Sequence, residues 1–97
     1  MAKNIDEIST SYEENGVLVV KELDKEILTR GAWTTIMFKY QDWDWKAEDY
    51  GPVRFIIRRY RKIGGEFKPQ SKFKISSVKQ AKQVVSALER WIAEEEG

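Results

Sequence analysis

The spacing of the apolar side chains changes once along the chain, and this change sets the class of fold. Up to about residue 76 they alternate with polar side chains at period two, most clearly in Trp33 to Trp43 and Val53 to Ile63. From residue 78 onward they recur at intervals of three and four. Period two is typical of half-buried strands, and the longer spacing is typical of an amphipathic helix. The order therefore predicts an α+β fold: a curved antiparallel β-sheet of about four strands followed by one C-terminal helix.

The shorter predicted strands are bounded by polar residues. Val17 to Leu23 is expected to form the first strand, with a turn at Asp24-Lys25 and a short partner strand from Ile27 to Thr29. Glu66 to Ser76 is expected to form the last strand. Pro69 within it cannot donate a backbone hydrogen bond, which predicts an irregular first part or a place at the sheet edge.

The two ends of the chain differ in character. Residues 1–15 are polar and lack periodicity, so they are predicted to be a flexible N-terminal arm, and residues 16–97 to be the domain.

Ser77 is the predicted N-cap of the helix, with Gln80 as its capping-box partner. The spacing of the helix stripe suits the core of a single chain, but a small fold with a single helix needs extra burial, so a homodimer interface is predicted instead. That interface comprises Val84, Val85, Leu88, Trp91 and Ile92.

Composition excludes several classes of function. The 97-residue chain has no cysteine and no histidine, which excludes thiol catalysis, Ser-His triads and almost every catalytic zinc site. We therefore expect no enzyme activity, cofactor or metal. The acidic cluster of Asp42, Asp44, Glu48 and Asp49 leaves a metal-dependent nuclease as an alternative, but these residues lie in or beside one loop, which favours a solvated acidic loop.

The sequence carries no signal for a membrane. Its longest apolar run is the four residues Val17–Val20, and residues 1–16 lack the apolar stretch of a secretory signal. A cytoplasmic location is expected (at a nucleoid or a viral replication site), or a nuclear one in a eukaryote.

The net charge of +1 hides a strong asymmetry. Residues 1–50 carry a net charge of −5, residues 51–88 carry +9 and residues 89–97 carry −3. Between Val53 and Ser77, basic side chains alternate with aromatic ones over two adjacent predicted strands. Cations neutralise phosphates and flat rings stack on unpaired bases, so this combination indicates binding of single-stranded nucleic acid. The alternative left open is a basic sheet face that is merely solvated or that binds an acidic protein.

A family resemblance rests on the same stretch. An amphipathic helix is preceded, in order, by Ile57-Arg58-x-Tyr60, a short turn, Glu66-Phe67-Lys68-Pro69, Lys72 and Ile75-Ser76. In this order and spacing the stretch resembles the Positive Cofactor Four-like family of transcriptional coactivators, which bind single-stranded DNA. The resemblance covers about residues 33–93. It implies a homodimer whose helices pack across a two-fold axis and whose curved sheets hold single strands.

The resemblance also implies roles for individual residues. Arg58, Lys68 and Lys72 match phosphate-contacting positions, and Lys39 and Trp43 lie on the strand where the family places a cation and a stacking ring. Arg61 stands where many members carry an aromatic residue, and Phe73-Lys74 replaces a glycine, with one extra residue. The complete predicted nucleic-acid set is Lys39, Trp43, Arg54, Arg58, Tyr60, Arg61, Lys68, Lys72 and Lys74.

The resulting hypothesis is sequence-nonspecific binding of single-stranded DNA by a homodimer. The absence of a serine-rich tail favours a bacterial or viral member, serving replication, recombination or repair more than transcription, with proteins of those processes as possible partners. The alternative is a protein-interaction module whose basic sheet binds an acidic partner. RNA stays open as a ligand, because a protein separates it from DNA by the geometry around the 2′-hydroxyl.

Overall fold

Six strands and one long helix make up most of residues 3–97, the part of the chain that the computed structural model describes. A 3-10 helix at Ile5–Glu7 precedes them. The strands are β1 (Tyr12–Glu14), β2 (Val17–Thr29), β3 (Trp33–Asp44), β4 (Asp49–Tyr50), β5 (Arg54–Ile63) and β6 (Glu66–Ile75), and the helix is α1 (Val78–Glu96).

The strands form a curled antiparallel sheet in the order β1-β2-β3-β5-β6, with the two-residue β4 paired to β3. The α+β arrangement of strands followed by one helix is confirmed. The sheet has more strands than the four expected, because β1 and β4 are only three and two residues long and leave no periodic pattern in the sequence.

The expected turn at Asp24-Lys25 is wrong. β2 runs without interruption from Val17 to Thr29 and pairs with β3 along most of that length. Its register shifts between Glu22 and Asp24, so the polar cluster marks a β-bulge and not a reversal of the chain.

The two faces of the sheet have different roles. The core face is defined by Ile36, Phe38, Tyr40 and Ile56, which are 4% exposed or less. The outer face is defined by the alternate positions Met37, Phe55, Ile57 and Phe73. Period two in β3 and β5 separates these sets as the sequence predicts, because successive side chains of a strand point to opposite faces.

Residues 5–10 pack onto the core face. Ile8 is 4% exposed and belongs to the main hydrophobic cluster, with Ile5 packed against it. The Lys25 Nζ donates hydrogen bonds to the backbone oxygens of Asp6 (2.8 Å) and Ile8 (2.7 Å). Residues 1–15 are the segment predicted to be a flexible arm, and residues 1 and 2 of it lie outside the described part of the chain. Within that segment, Ile5 and Ile8 pack with the apolar core of the sheet.

β6 lies at one edge of the sheet and is irregular where Pro69 predicts it. Arg59 pairs with Ser71, whereas the next residue, Tyr60, pairs with Pro69, so Gln70 is an extra residue in β6. This β-bulge keeps Phe67 on the core face, where it is buried.

The helix begins as predicted. The Ser77 Oγ accepts a hydrogen bond from the Gln80 N–H at 3.0 Å, and the Gln80 side chain accepts one from the Ser76 N–H at 2.8 Å. Unlike the sheet, α1 contains no buried residue.

The Cα radius of gyration of 15.6 Å exceeds the roughly 12–13 Å of a typical domain of this length. In the described part of the chain, no helix has the length and apolar character needed to cross a membrane.

Candidate nucleic-acid interface

The structure divides the predicted nucleic-acid residues between the two faces of the sheet. The strand register between β3, β5 and β6 decides the division, because directly paired residues share a face. Those on the core face are Arg54, Arg58, Tyr60, Lys72 and Lys74. Those on the outer face are Lys39, Trp43, Arg61 and Lys68.

The predicted cations on the core face form a short row, which we call the core-face row: Arg54, Arg58, Lys72 and Lys74. Arg58 and Lys72 stand directly opposite each other on β5 and β6. Like charges in that position are destabilising unless something neutralises them. At one end of the row, Arg54 lies 3.5 Å from the Asp42 carboxylate. Among residues 3–97, no carboxylate lies within ion-pair distance of the other three cations.

Arg58 is the most constrained member of the core-face row. Its side chain is half-buried, and its Nε is buried without a hydrogen-bond partner among the described residues. A buried guanidinium nitrogen without a partner is costly. Arg58 also lines two cavities that are large enough for a phosphate group. A cavity of about 240 Å³ is lined by Arg58, Pro69, Gln70, Ser71 and Lys72, and another of about 300 Å³ by Glu7, Ile8, Ser9, Arg58, Tyr60, Phe67 and Pro69.

Tyr60 lies beside Arg58 but is not an exposed ring. It is 5% exposed and packs in the hydrophobic cluster, at the wall of the larger cavity. Burial raises the pKa of its phenol, and the neighbouring Arg58 opposes that rise. The ring can therefore reach a ligand only through the cavity.

Of the outer-face residues, Lys39 does not join the core-face row, whereas Trp43 lines a cavity of about 430 Å³ together with Arg54 at the end of that row. Lys39 is exposed but stands opposite Asp24 of β2. Trp43 is half-buried, with its ring edge-on to those of Tyr50 (5.1 Å between centroids) and Trp45 (6.3 Å). Its Nε1 is buried without a partner in the described residues. The arrangement is a small aromatic cluster under the β3–β4 turn.

The other two predicted residues on the outer face belong to a patch that the sequence does not single out. The Trp33 ring centroid is 4.7 Å from the Arg59 guanidinium carbon and 5.3 Å from that of Arg61. Lys68 pairs directly with Arg61. We call Trp33, Arg59, Arg61 and Lys68 the outer-face basic patch. The sequence offers no signal for the contact of Trp33 with Arg59 and Arg61, because it depends on the register of β3 against β5.

The acidic cluster does not converge on a common point. Asp42 faces Arg54, the Asp44 Oδ1 accepts backbone hydrogen bonds from Lys46 and Ala47, and the Asp49 Oδ1 accepts one from Tyr50. Among the residues that the structure describes, no group of three or more carboxylates is placed to hold a metal ion.

The predicted dimer residues lie on one side of α1 and are open to solvent. Val85, Leu88, Trp91 and Ile92 are each about half exposed (48–59%), and Val84 is half-buried. A groove of about 390 Å³ runs along the same side, lined by Gln80, Gln83, Val84, Ala87, Leu88 and Trp91.

Comparison with models of known protein families, with curated proteins and with solved structures finds no match to this chain.

Proposed function

We propose that this protein binds single-stranded nucleic acid without base specificity, through the core-face row, as a homodimer. The proposal joins the resemblance to the Positive Cofactor Four-like family with the charge and geometry of the sheet. Single-stranded DNA present during replication, recombination, repair or transcription is the proposed ligand. No residue is proposed to act in catalysis, and no cofactor is proposed.

The observation that carries the proposal is the pair of Arg58 and Lys72. Two cations stand directly opposite each other, neither has a carboxylate within ion-pair distance in residues 3–97, and the Arg58 Nε has no hydrogen-bond partner there. A phosphate between them would offset the like-charge repulsion and accept hydrogen bonds from the two cationic groups. Lys74, two residues along β6 on the same face, extends the row for a neighbouring phosphate.

The homodimer is supported by what the single chain leaves uncovered. The apolar side of α1 has no partner among residues 3–97, and on the outer face Phe73 is 56% exposed. Exposed apolar surface of this extent marks protein–protein contacts in soluble proteins. A second copy that packs its own α1 against the apolar side of this helix would bury both.

The test is a fluorescence-anisotropy titration of labelled oligothymidylate over a range of salt concentrations. Arg58→Ala and Lys72→Ala are each expected to weaken binding and to reduce the slope of log K against log salt by about 0.7, the contribution of one phosphate contact in a single strand. Lys82→Ala, which removes an exposed cation from the polar side of α1, is the matched control and should leave the slope unchanged.

The same titration separates the alternative function. An acidic protein partner requires negative charge but no bases, so poly-glutamate would then compete as well as oligothymidylate at equal charge. Preference for the oligonucleotide supports the proposal. Equal competition, or slopes that do not change in the Arg58 and Lys72 variants, would contradict it.

A further inference from the structure

The outer-face basic patch has a feature that the core-face row lacks: an aromatic ring open to solvent. Trp33 is 42% exposed, whereas Tyr60 on the core face is 5% exposed. We propose that the outer-face basic patch is a second binding site for single-stranded nucleic acid, on the opposite side of the sheet from the core-face row. This inference rests on the proposed function and assigns a further site to the same ligand.

The charges of the patch parallel those of the core-face row. Arg61 and Lys68 stand directly opposite each other on β5 and β6, a second like-charge pair. Neither of the two ion pairs found in residues 3–97 involves the patch. Arg59 and Arg61 are two residues apart on one strand, so their side chains leave the sheet about 7 Å from each other. That spacing suits neighbouring phosphates along an extended strand.

The ring decides between nucleic acid and an acidic polypeptide as the occupant. The two guanidinium groups lie 4.7 and 5.3 Å from the Trp33 ring centroid, and part of the indole still faces solvent. A base that replaces one guanidinium group on the Trp33 ring can stack there, and the displaced guanidinium then contacts an adjoining phosphate. An acidic segment would use the cations alone and gain little from an exposed indole.

Two sites on opposite faces give the chain a further capacity. The molecule measures only 17 Å across its thinnest dimension, and the sheet separates the patch from the core-face row. One protomer would therefore hold two short strands at the same time, one on each face. Such a protein would bring two single strands close together as well as cover one.

The test uses the full chain and a short oligothymidylate, with tryptophan fluorescence and calorimetric stoichiometry as readouts. The wild-type chain should bind two oligonucleotides per protomer, with quenching of fluorescence by stacking. Trp33→Leu should lose most of this quenching, and binding at one of the two sites should weaken at least about fivefold. The double variant Arg58→Ala/Lys72→Ala should keep the quenched site and lose the other. Trp45→Leu, which removes another exposed indole, is the matched control.

Arg61→Gln gives a second measure if Trp33→Leu does not fold, since Arg61 is exposed and its removal leaves Trp33 in place. One oligonucleotide per protomer, with affinity unchanged in both patch variants, would overturn the second site and leave the proposed function intact. Loss of dimerisation in these variants without loss of binding would also overturn it, by assigning the patch to a protein contact. A wild-type chain that binds no oligonucleotide would overturn the proposed function itself.

Discussion

The side chains of Tyr60 and Tyr40 are buried on the core face of the sheet, and this makes the stability of the fold sensitive to high pH. Burial raises the pKa of Tyr60, and burial together with the Asp42 carboxylate raises that of Tyr40. In the unfolded chain both phenols ionise near pH ~10. Just above that pH the folded chain therefore holds more protons, so the free energy of unfolding falls as the pH rises from about 10 through the folded pKa values.

This prediction is checked by denaturant unfolding at neutral and alkaline pH. Tyr60→Phe should lessen the alkaline loss of stability, because the variant has no phenol to ionise at that position. Tyr12→Phe, at a position 58% exposed, should behave as the wild-type chain does. An equal alkaline loss in wild-type and Tyr60→Phe chains would refute the role of this residue.

Individual residues also show which parts of the site the sequence can predict. Alternation in β3 and β5 places Lys39 and Arg58 correctly within their own strands, because the period of side-chain direction is a property of one strand. Whether Lys39 shares a face with Arg58 depends on the register between strands. The structure pairs Arg58 with Ile36, which puts Lys39 on the other face. The burial of Tyr60 follows from the same pairing and from the curl of the sheet.

At the scale of elements, the contacts of the N-terminal segment have no signal in the sequence. Ile5 and Ile8 are too sparse to produce a period, yet both pack against the core cluster. The Ser9 hydroxyl and the Thr10 N–H both donate hydrogen bonds to the Glu22 carboxylate, at 2.9 and 3.1 Å. Docking of this kind depends on a surface made by distant strands, which no local pattern reveals.

Removal of residues 1–11 is therefore expected to lower the thermal midpoint clearly.

The point variant Ile8→Ala should cost about 2–5 kcal/mol of unfolding free energy, as buried isoleucine truncations do, because Ile8 is 4% exposed. Ile63→Ala, at a position 42% exposed, is the control and should cost much less. Circular dichroism follows thermal unfolding of the deletion variant and denaturant unfolding of the point variants. An unchanged thermal midpoint after the deletion would contradict the docking of the segment.

For the molecule as a whole, the proposed dimer accounts for an open shape. The helix contacts mainly the edge strand β6 and has its apolar side exposed, and the chain is 52 Å in its longest dimension. The fold class and the position of the helix in the chain follow from the sequence, because the spacing of apolar residues within each segment indicates a strand or a helix. The sequence does not determine how the helix packs, since the same apolar stripe suits an intramolecular core and a contact between two copies of the chain.

Leu88→Asp is expected to convert the dimer to a monomer, because it buries a carboxylate in an apolar contact. Ser86→Asp introduces the same charge on the opposite, polar side of α1 and should leave the dimer intact. Light scattering across a range of protein concentrations measures the mass in solution. Equal masses for the Leu88→Asp and wild-type chains would refute this interface.

The bulge in β6 has a consequence for how the charges of the molecule are distributed. Successive side chains of a strand point to opposite faces of the sheet, and Gln70 inserts one extra residue into this alternation. Everything between Gln70 and the hairpin is thereby turned over: Phe67 faces inward and Lys68 outward. Without that step the phenylalanine would meet solvent and the lysine would enter the core. The single inserted residue thus adds Lys68 to Arg59 and Arg61 on the outer face and keeps its charge out of the apolar core.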